Sequence, residues 1–396
     1  MDPLPKSQSR IQSVDALRGL VMIIMALDHT RDFVHRGAQL FSPLDLEQTS
    51  AIIFLTRWVT HICAPVFMFT AGIGAFLWMN RGRSKPELAW FLVTRGAWLL
   101  LLEVTVVHFA MTFNFDYSLL ILEVIWALGC CMILLAGLAY LPTRWLAIFS
   151  IGLILLHNLT DGVSAETFGR FSWAWILLHR GGPLTLGTHT VVAGYPLIPW
   201  IGVMSAGFCF GHIILMEPEV RRKWMLRLGA GMCLAFFVIR AINIYGDPNP
   251  WSRQTSPLFT ALSFLNTTKY PPSLEFLLMT LGPAFLLFAW MDRRSFAKEN
   301  PLLVFGRVPL FYFVIHLFVG HAIAVALAFV RYGKAPFLFL TFPALGGPRE
   351  LFPQNFGYSL WVVYFAWCGV VIALYPICRW FSRVKERRKD WWLSYL

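Results

Sequence analysis

Residues 13–36 read SVDALRGLVMIIMALDHTRDFVHR. The apolar run from Gly19 to Leu27 has the character of a membrane span. Immediately after it come Asp28, His29, Arg31, Asp32 and His35. Ionisable groups at membrane depth are costly, and those present face a bundle interior or a water-filled cavity. At ~100° per residue, Asp28, Arg31, Asp32 and His35 fall on one helix face, with His29 beside it. This pattern makes the second half of the first helix a candidate site, and other polar residues matter according to whether they can reach it.

Composition sets the class. The chain has 396 residues, 57% hydrophobic and 14% charged, with a mean hydropathy of +0.62. A soluble chain carries about 25% charged residues. The expectation is an all-α, polytopic transmembrane helical bundle. Ten stretches approach the ~20 residues that a bilayer needs: 17–36, 50–79, 87–112, 118–140, 143–160, 196–215, 224–244, 272–291, 301–331 and 357–379. An eleventh span within 171–195 or 334–346 is the alternative. Most Lys and Arg, from Lys6 and Arg10 to Lys389, gather in alternate loops. The positive-inside rule then places both termini in the cytoplasm. The net charge of +12 therefore follows topology, and nucleic acid is not an expected partner. The whole chain, 1–396, reads as one integral-membrane domain. Its basic tail, 380–396, is expected to lie on an anionic inner leaflet. The seven cysteines form no CxxC pair and read as small core residues.

Depth brings particular side chains together. At ~1.5 Å per residue, His29 lies about 16 Å in from Arg18, and His61 about 16 Å in from Ser50 on the antiparallel second span. Arg57, one turn from His61, is then level with Asp32, so an Asp32–Arg57 ion pair is expected. His316 and Tyr312 lie one turn apart in the ninth span, and Glu275 stands just below the outer surface. A histidine can act as a general base or an acyl-accepting nucleophile, and the neighbouring Asp28 could orient it. No short-spaced ligand pair supports a metal. There is no GxSxG and no P-loop. Buried His and carboxylates also build proton relays, so a transporter or channel is the rival reading.

The run SVDALRGLVMIIMALDH resembles the membrane acyltransferases of the heparan-α-glucosaminide N-acetyltransferase-like family, including the bacterial DUF1624 group. Arg10, Ser13, Val14, Asp15, Arg18, Gly19 and Met25 carry the resemblance. TRWVTHICAPVFMFTAGIGA, YPLIPWIGVMSAGF, KYPPSLEFLLMTLGPA and GRVPLFYFVIHLF extend it along nearly the whole chain. The resemblance implies transfer of an acyl (acetyl) group from cytoplasmic acyl-CoA to an amine or hydroxyl acceptor, such as a sugar, at the outer face. It implies a catalytic histidine, Arg18, Arg81, Arg83 and Arg95 at the CoA phosphates, and a bacterial inner membrane. Membrane lipid is a partner, and a homo-oligomer stays open. The chain departs from the family at one point. The family has Asn at the position of His29 and its catalytic His at the position of Leu40. Either His29 takes the role, as in the related acyltransferase-3 pattern, or His35 does through a gap. His29 is the expected base. His61 and His316 complete the catalytic candidates, and Asp32, Arg57, Glu275 and Tyr312 are expected to bind the acceptor.

Overall fold

Apolar segments without water must satisfy their own backbone, and helices do so within one segment. In a computed structural model, which describes residues 11–345, 349–388 and 390–395, the expected spans are helices. Lys6, Arg10 and Lys389 lie outside the described residues. Eight helices are long and apolar enough to cross a membrane: Ala51–Met79, Lys85–Thr112, Thr143–Thr160, Leu197–Ile214, Pro218–Ile242, Leu274–Met291, Pro309–Tyr332 and Leu360–Arg387. Two more helices stand at the remaining expected spans. Val124–Leu138 has 15 residues, short of the ~20 that a bilayer needs.

The first helix, Gln12–Val34, has 23 residues but is too charged to count as a simple span. Its position resolves the conflict. It packs against the 51–60, 63–79, 274–291, 301–307, 309–332 and 360–387 helices. Its Asp15 and Arg31 are therefore buried inside protein and do not face lipid.

The stretches considered for an eleventh span form no long helix among the described residues. Residues 171–195 contain the short helix Ser172–Trp175, a π-helical turn and two strands. The expected helix 118–140 also starts late. Leu119–Leu122 (β1) pairs in parallel with His189–Ala193 (β3), and Gly182–Leu186 (β2) pairs antiparallel with β3, giving the order β1-β3-β2. The β-branched run Thr190–Val192 favours an extended backbone over a helix.

Local irregularities shape the core. The second span breaks into Ala51–Thr60 and Cys63–Met79. Pro65 has no N–H for the carbonyl of His61, so the helix opens at His61. A π-helical turn, Glu103–Val107, interrupts the third span. Such turns re-aim side chains and occur often at functional sites. Elsewhere helices meet at glycines. A Cβ on Gly207 would overlap the Phe69 carbonyl, and one on Gly72 the Met204 carbonyl. Two backbones thus come within touching distance, as small-residue interfaces permit.

The bundle has two dissimilar ends. At the basic end, Arg221 grips Asp292 through two bonds of 2.9 Å, and Ser13 Oγ donates to Asp292 at 2.8 Å. At the other, looped end lie the three-stranded sheet and the segment 243–273. There Tyr358 N donates to the Val34 carbonyl at 2.8 Å, and Arg36 N to the Tyr358 carbonyl at 3.0 Å.

Candidate functional site

Two cavities enter the bundle from opposite ends and approach the middle of the first helix. The basic-end cavity measures about 1220 Å³, and its wall includes Arg18, Arg81, Arg95, Arg221, Arg294 and Arg307. Of the four arginines expected at a CoA phosphate, Arg18, Arg81 and Arg95 line it. Arg83 does not: it pairs with Glu87 at 3.2 Å and lies 5.3 Å from the Trp78 ring. Its wall also carries apolar side chains such as Phe67, Leu99 and Met132.

The looped-end cavity measures about 750 Å³ and is lined by Arg31, Asp32, His35, Arg57, Glu123 and Lys269 among others. Three of these six, Asp32, His35 and Arg57, were singled out from sequence as site residues. Arg31, Glu123 and Lys269 were not. Lys269 sits two positions before the Pro271–Pro272 pair, a local turn signal that says nothing about which cavity the turn reaches.

The protein between the cavities is thin. Val124 lines the basic-end cavity and its neighbour Glu123 the looped-end one. On the first helix the wall passes from Met22 to Arg31, about 13 Å of rise. His29 lies in that interval. Phe313 lines the basic-end cavity, and its ring centroid is 6.5 Å from that of His29.

The ring facing His29 is that of His316, at 5.1 Å between centroids. His316 Nδ1–H donates to the Tyr312 carbonyl at 3.2 Å. A carbonyl can only accept, so this bond leaves Nε2 of a neutral ring as the acceptor. His316 Nε2 and His29 Nδ1 have no hydrogen-bond partner among the described residues, and neither does the Tyr312 hydroxyl. Tyr312 stacks on His316 at 5.7 Å. Buried polar atoms are nearly always bonded, so such a cluster needs an explanation other than packing.

His61 is placed differently. It is fully buried at the helix break, against Phe276 at 5.2 Å, with both ring nitrogens unpartnered among the described residues. His35 instead forms part of the looped-end cavity wall, where its Nδ1 accepts from Gly37 N at 3.1 Å.

The carboxylates are distributed otherwise than expected. Arg57 pairs with Asp28, not with Asp32, and Arg31 joins Asp28 at 3.0 Å and Asp32 at 2.5 Å. On one helical turn, Asp28 is the residue that projects toward the second span, so it takes the interhelical contact. Being engaged by two guanidinium groups, it is not a free orienting group for His29. Glu275 lies outside both cavity walls. It is buried with Arg240 at 2.7 Å, and Arg240 also donates to the carbonyls of Asn249, Ser263, Phe264 and Asn266. That node fixes the looped-end segment. No cluster of three or more His, Cys, Asp or Glu among the described residues is arranged to hold a metal ion.

Residues 10–245 match the family described as heparan-α-glucosaminide N-acetyltransferase, catalytic. The chain belongs to this family of membrane N-acetyltransferases. The matched region covers His29, Arg57, His61, Arg95 and Glu123, whereas Lys269, Tyr312 and His316 lie beyond it. No curated protein matches the chain.

Proposed function

We propose that the protein transfers an acetyl group from acetyl-CoA, bound in the basic-end cavity, to an amine or hydroxyl acceptor held in the looped-end cavity. The observation that carries this reading is the pair of opposed cavities separated by a wall that contains His29. The basic-end cavity has the charge to hold a nucleotide's phosphates, since guanidinium groups suit phosphate recognition. The looped-end cavity is polar on the side where an acceptor, such as a sugar, would be met. His29, with His316 against it, stands where a base must stand to serve both. In this reading the basic end faces the cytoplasm of a bacterial inner membrane, as the excess of Lys and Arg there favours.

Proteoliposomes test the two-sided arrangement. Radiolabelled acetyl-CoA is supplied on the basic-end side and a membrane-impermeant acceptor panel of sugars and amino sugars on the other. Acetylated acceptor should form only when the two lie on opposite sides of the membrane. If acetyl-CoA does not bind, and a solute gradient instead drives uptake, a transporter reading replaces this one.

A further inference from the structure

Glu123 caps the start of the Val124–Leu138 helix by position but not by its side chain. An N-cap side chain ordinarily accepts a bond from the first-turn N–H groups. Here another residue serves the helix start. Glu103, re-aimed by the π-helical turn, reaches across and accepts from Glu123 N at 2.6 Å. The Glu123 carboxylate is left free of capping, and it lines the looped-end cavity.

The surrounding charges are already committed or held apart. Arg57 and Arg31 are engaged by Asp28 and Asp32. Lys269, only 8% exposed, lines the same cavity with its ammonium 5.0 and 5.6 Å from the Tyr270 and Tyr195 ring centres. Among the described residues neither Lys269 nor Glu123 forms an ion pair. The turn that carries Lys269 is firmly set, because Asp247 accepts from Thr268 N at 2.7 Å, Thr268 Oγ1 at 2.8 Å and Ser273 Oγ at 2.6 Å. An unpaired carboxylate therefore faces the acceptor cavity, and its sequence neighbour Val124 lines the donor cavity.

We propose that Glu123 is a second proton acceptor, dedicated to an amine substrate; this rests on the acetyltransferase reading above. An amine arrives as an ammonium ion, R–NH3+, and must lose two protons. The first passes to the Glu123 carboxylate, which also attracts the cation. The freed nitrogen lone pair attacks the thioester carbonyl carbon, the C–N bond forms and the C–S bond breaks. The second N–H proton passes to His29 and on to the departing CoA thiolate. The products are the acetamide, CoA thiol and one proton, which Glu123 returns to the looped-end cavity.

The experiment compares wild type, Glu123→Gln, Glu123→Asp and His29→Ala with acetyl-CoA and a panel of primary amines and sugar alcohols, glucosamine among them. Glu123→Gln should slow amine acetylation by about 10²–10⁴-fold, the range for losing a positioned proton acceptor. Acetyl-CoA affinity should stay at the wild-type value, and Glu123→Asp should recover part of the rate. Raising the pH, which supplies unprotonated amine, should restore Glu123→Gln more than wild type. Wild-type amine turnover in Glu123→Gln alongside an inactive His29→Ala overturns the role of Glu123 alone. Acetylation of hydroxyls only, by an enzyme that binds acetyl-CoA, also removes that role and keeps the acyltransferase. Loss of acetyl-CoA binding in Glu123→Gln would mark a structural residue and overturn the proposal. An active His29→Ala removes the reading beneath it.

Discussion

Arg57 crosses from the second helix to Asp28 of the first, and Arg31, one turn along the first helix, holds the other oxygen of that carboxylate at 3.0 Å. One carboxylate thus serves two guanidinium groups, each with little exposure. Breaking a buried pair from one side leaves an uncompensated charge and costs about 3–5 kcal/mol. Asp28→Leu should therefore destabilise the protein more than Arg57→Leu, because it strands two cations rather than one anion that keeps Arg31. The double variant should be less destabilised than the two single effects predict together, by about 0.5–3 kcal/mol. Unfolding in detergent, followed for all four proteins, reads this directly; additive effects would show that the pair carries no coupling.

The two candidate bases stand in different surroundings. His29 has an unpartnered Nδ1 and lies between the cavities, whereas the Nδ1 of His35 is occupied by Gly37 N at 3.1 Å. His29→Ala should lower acetyl transfer by about 10²–10⁴-fold, with the protein still folded and acetyl-CoA still bound. His35→Ala should change turnover by much less. The reverse ranking would assign the chemistry to His35 and to the gapped alignment.

Arg83 provides an internal control for the basic-end cavity. Arg95 lines that cavity beside Phe91, with 4.9 Å from guanidinium to ring, while Arg83 lies outside it on Glu87. A hydrogen bond to a charged group contributes about 1.5–3 kcal/mol. Arg95→Ala should therefore weaken acetyl-CoA binding by about tenfold or more, as should Arg81→Ala. Arg83→Ala should fall within about 0.5 kcal/mol of wild type, as surface substitutions do. Calorimetric titration with acetyl-CoA distinguishes the two classes.

Much of the fold was legible because a bilayer imposes one rule on every span, and runs such as Leu197–Ile214 obey it along their whole length. The first helix was legible as a site for the opposite reason, since Asp28, His29 and Arg31 violate that rule. What composition could not show is azimuth. Equal depth permitted Arg57 to meet Asp28 or Asp32, and only packing selects between them. Residues 119–122 were equally opaque: LLIL suits a helix or a strand, and its partner at 190–193 lies far along the chain. Glu123 is visible in the sequence as a carboxylate at the start of a span, but not as a site residue, because its freedom depends on Glu103, twenty positions earlier, taking over the helix start.

The orientation of the bundle has its own test. Lys85 starts the Lys85–Thr112 helix and Lys223 lies in the second turn of Pro218–Ile242, both at the basic end, whereas Asn249 lies at the looped end, where its amide bonds Thr268 Oγ1 at 2.9 Å. Reporter fusions at Lys85 and Lys223 should be active in the cytoplasm, and a fusion at Asn249 only on the far side. Reversal of all three would invert the direction of acetyl transfer, and a mixed result would break the bundle topology.

The closest test of the packing lies at Gly207. Its helix, Leu197–Ile214, crosses Cys63–Met79 so closely that an added Cβ would overlap the Phe69 carbonyl. That carbonyl is backbone and cannot rotate aside, so accommodation requires the helices to separate. Separation would disturb Phe67, on the basic-end cavity wall, and the break at His61 a few residues before it. Overpacking ordinarily costs about 1–3 kcal/mol, and a backbone clash sits at the upper end or beyond. Gly207→Val should therefore lower the unfolding temperature markedly and weaken acetyl-CoA binding in whatever protein remains folded. Gly231→Ala, where an added Cβ meets nothing within 4 Å, should do neither. Similar stability for the two variants would show that the close approach of these helices does not support the site.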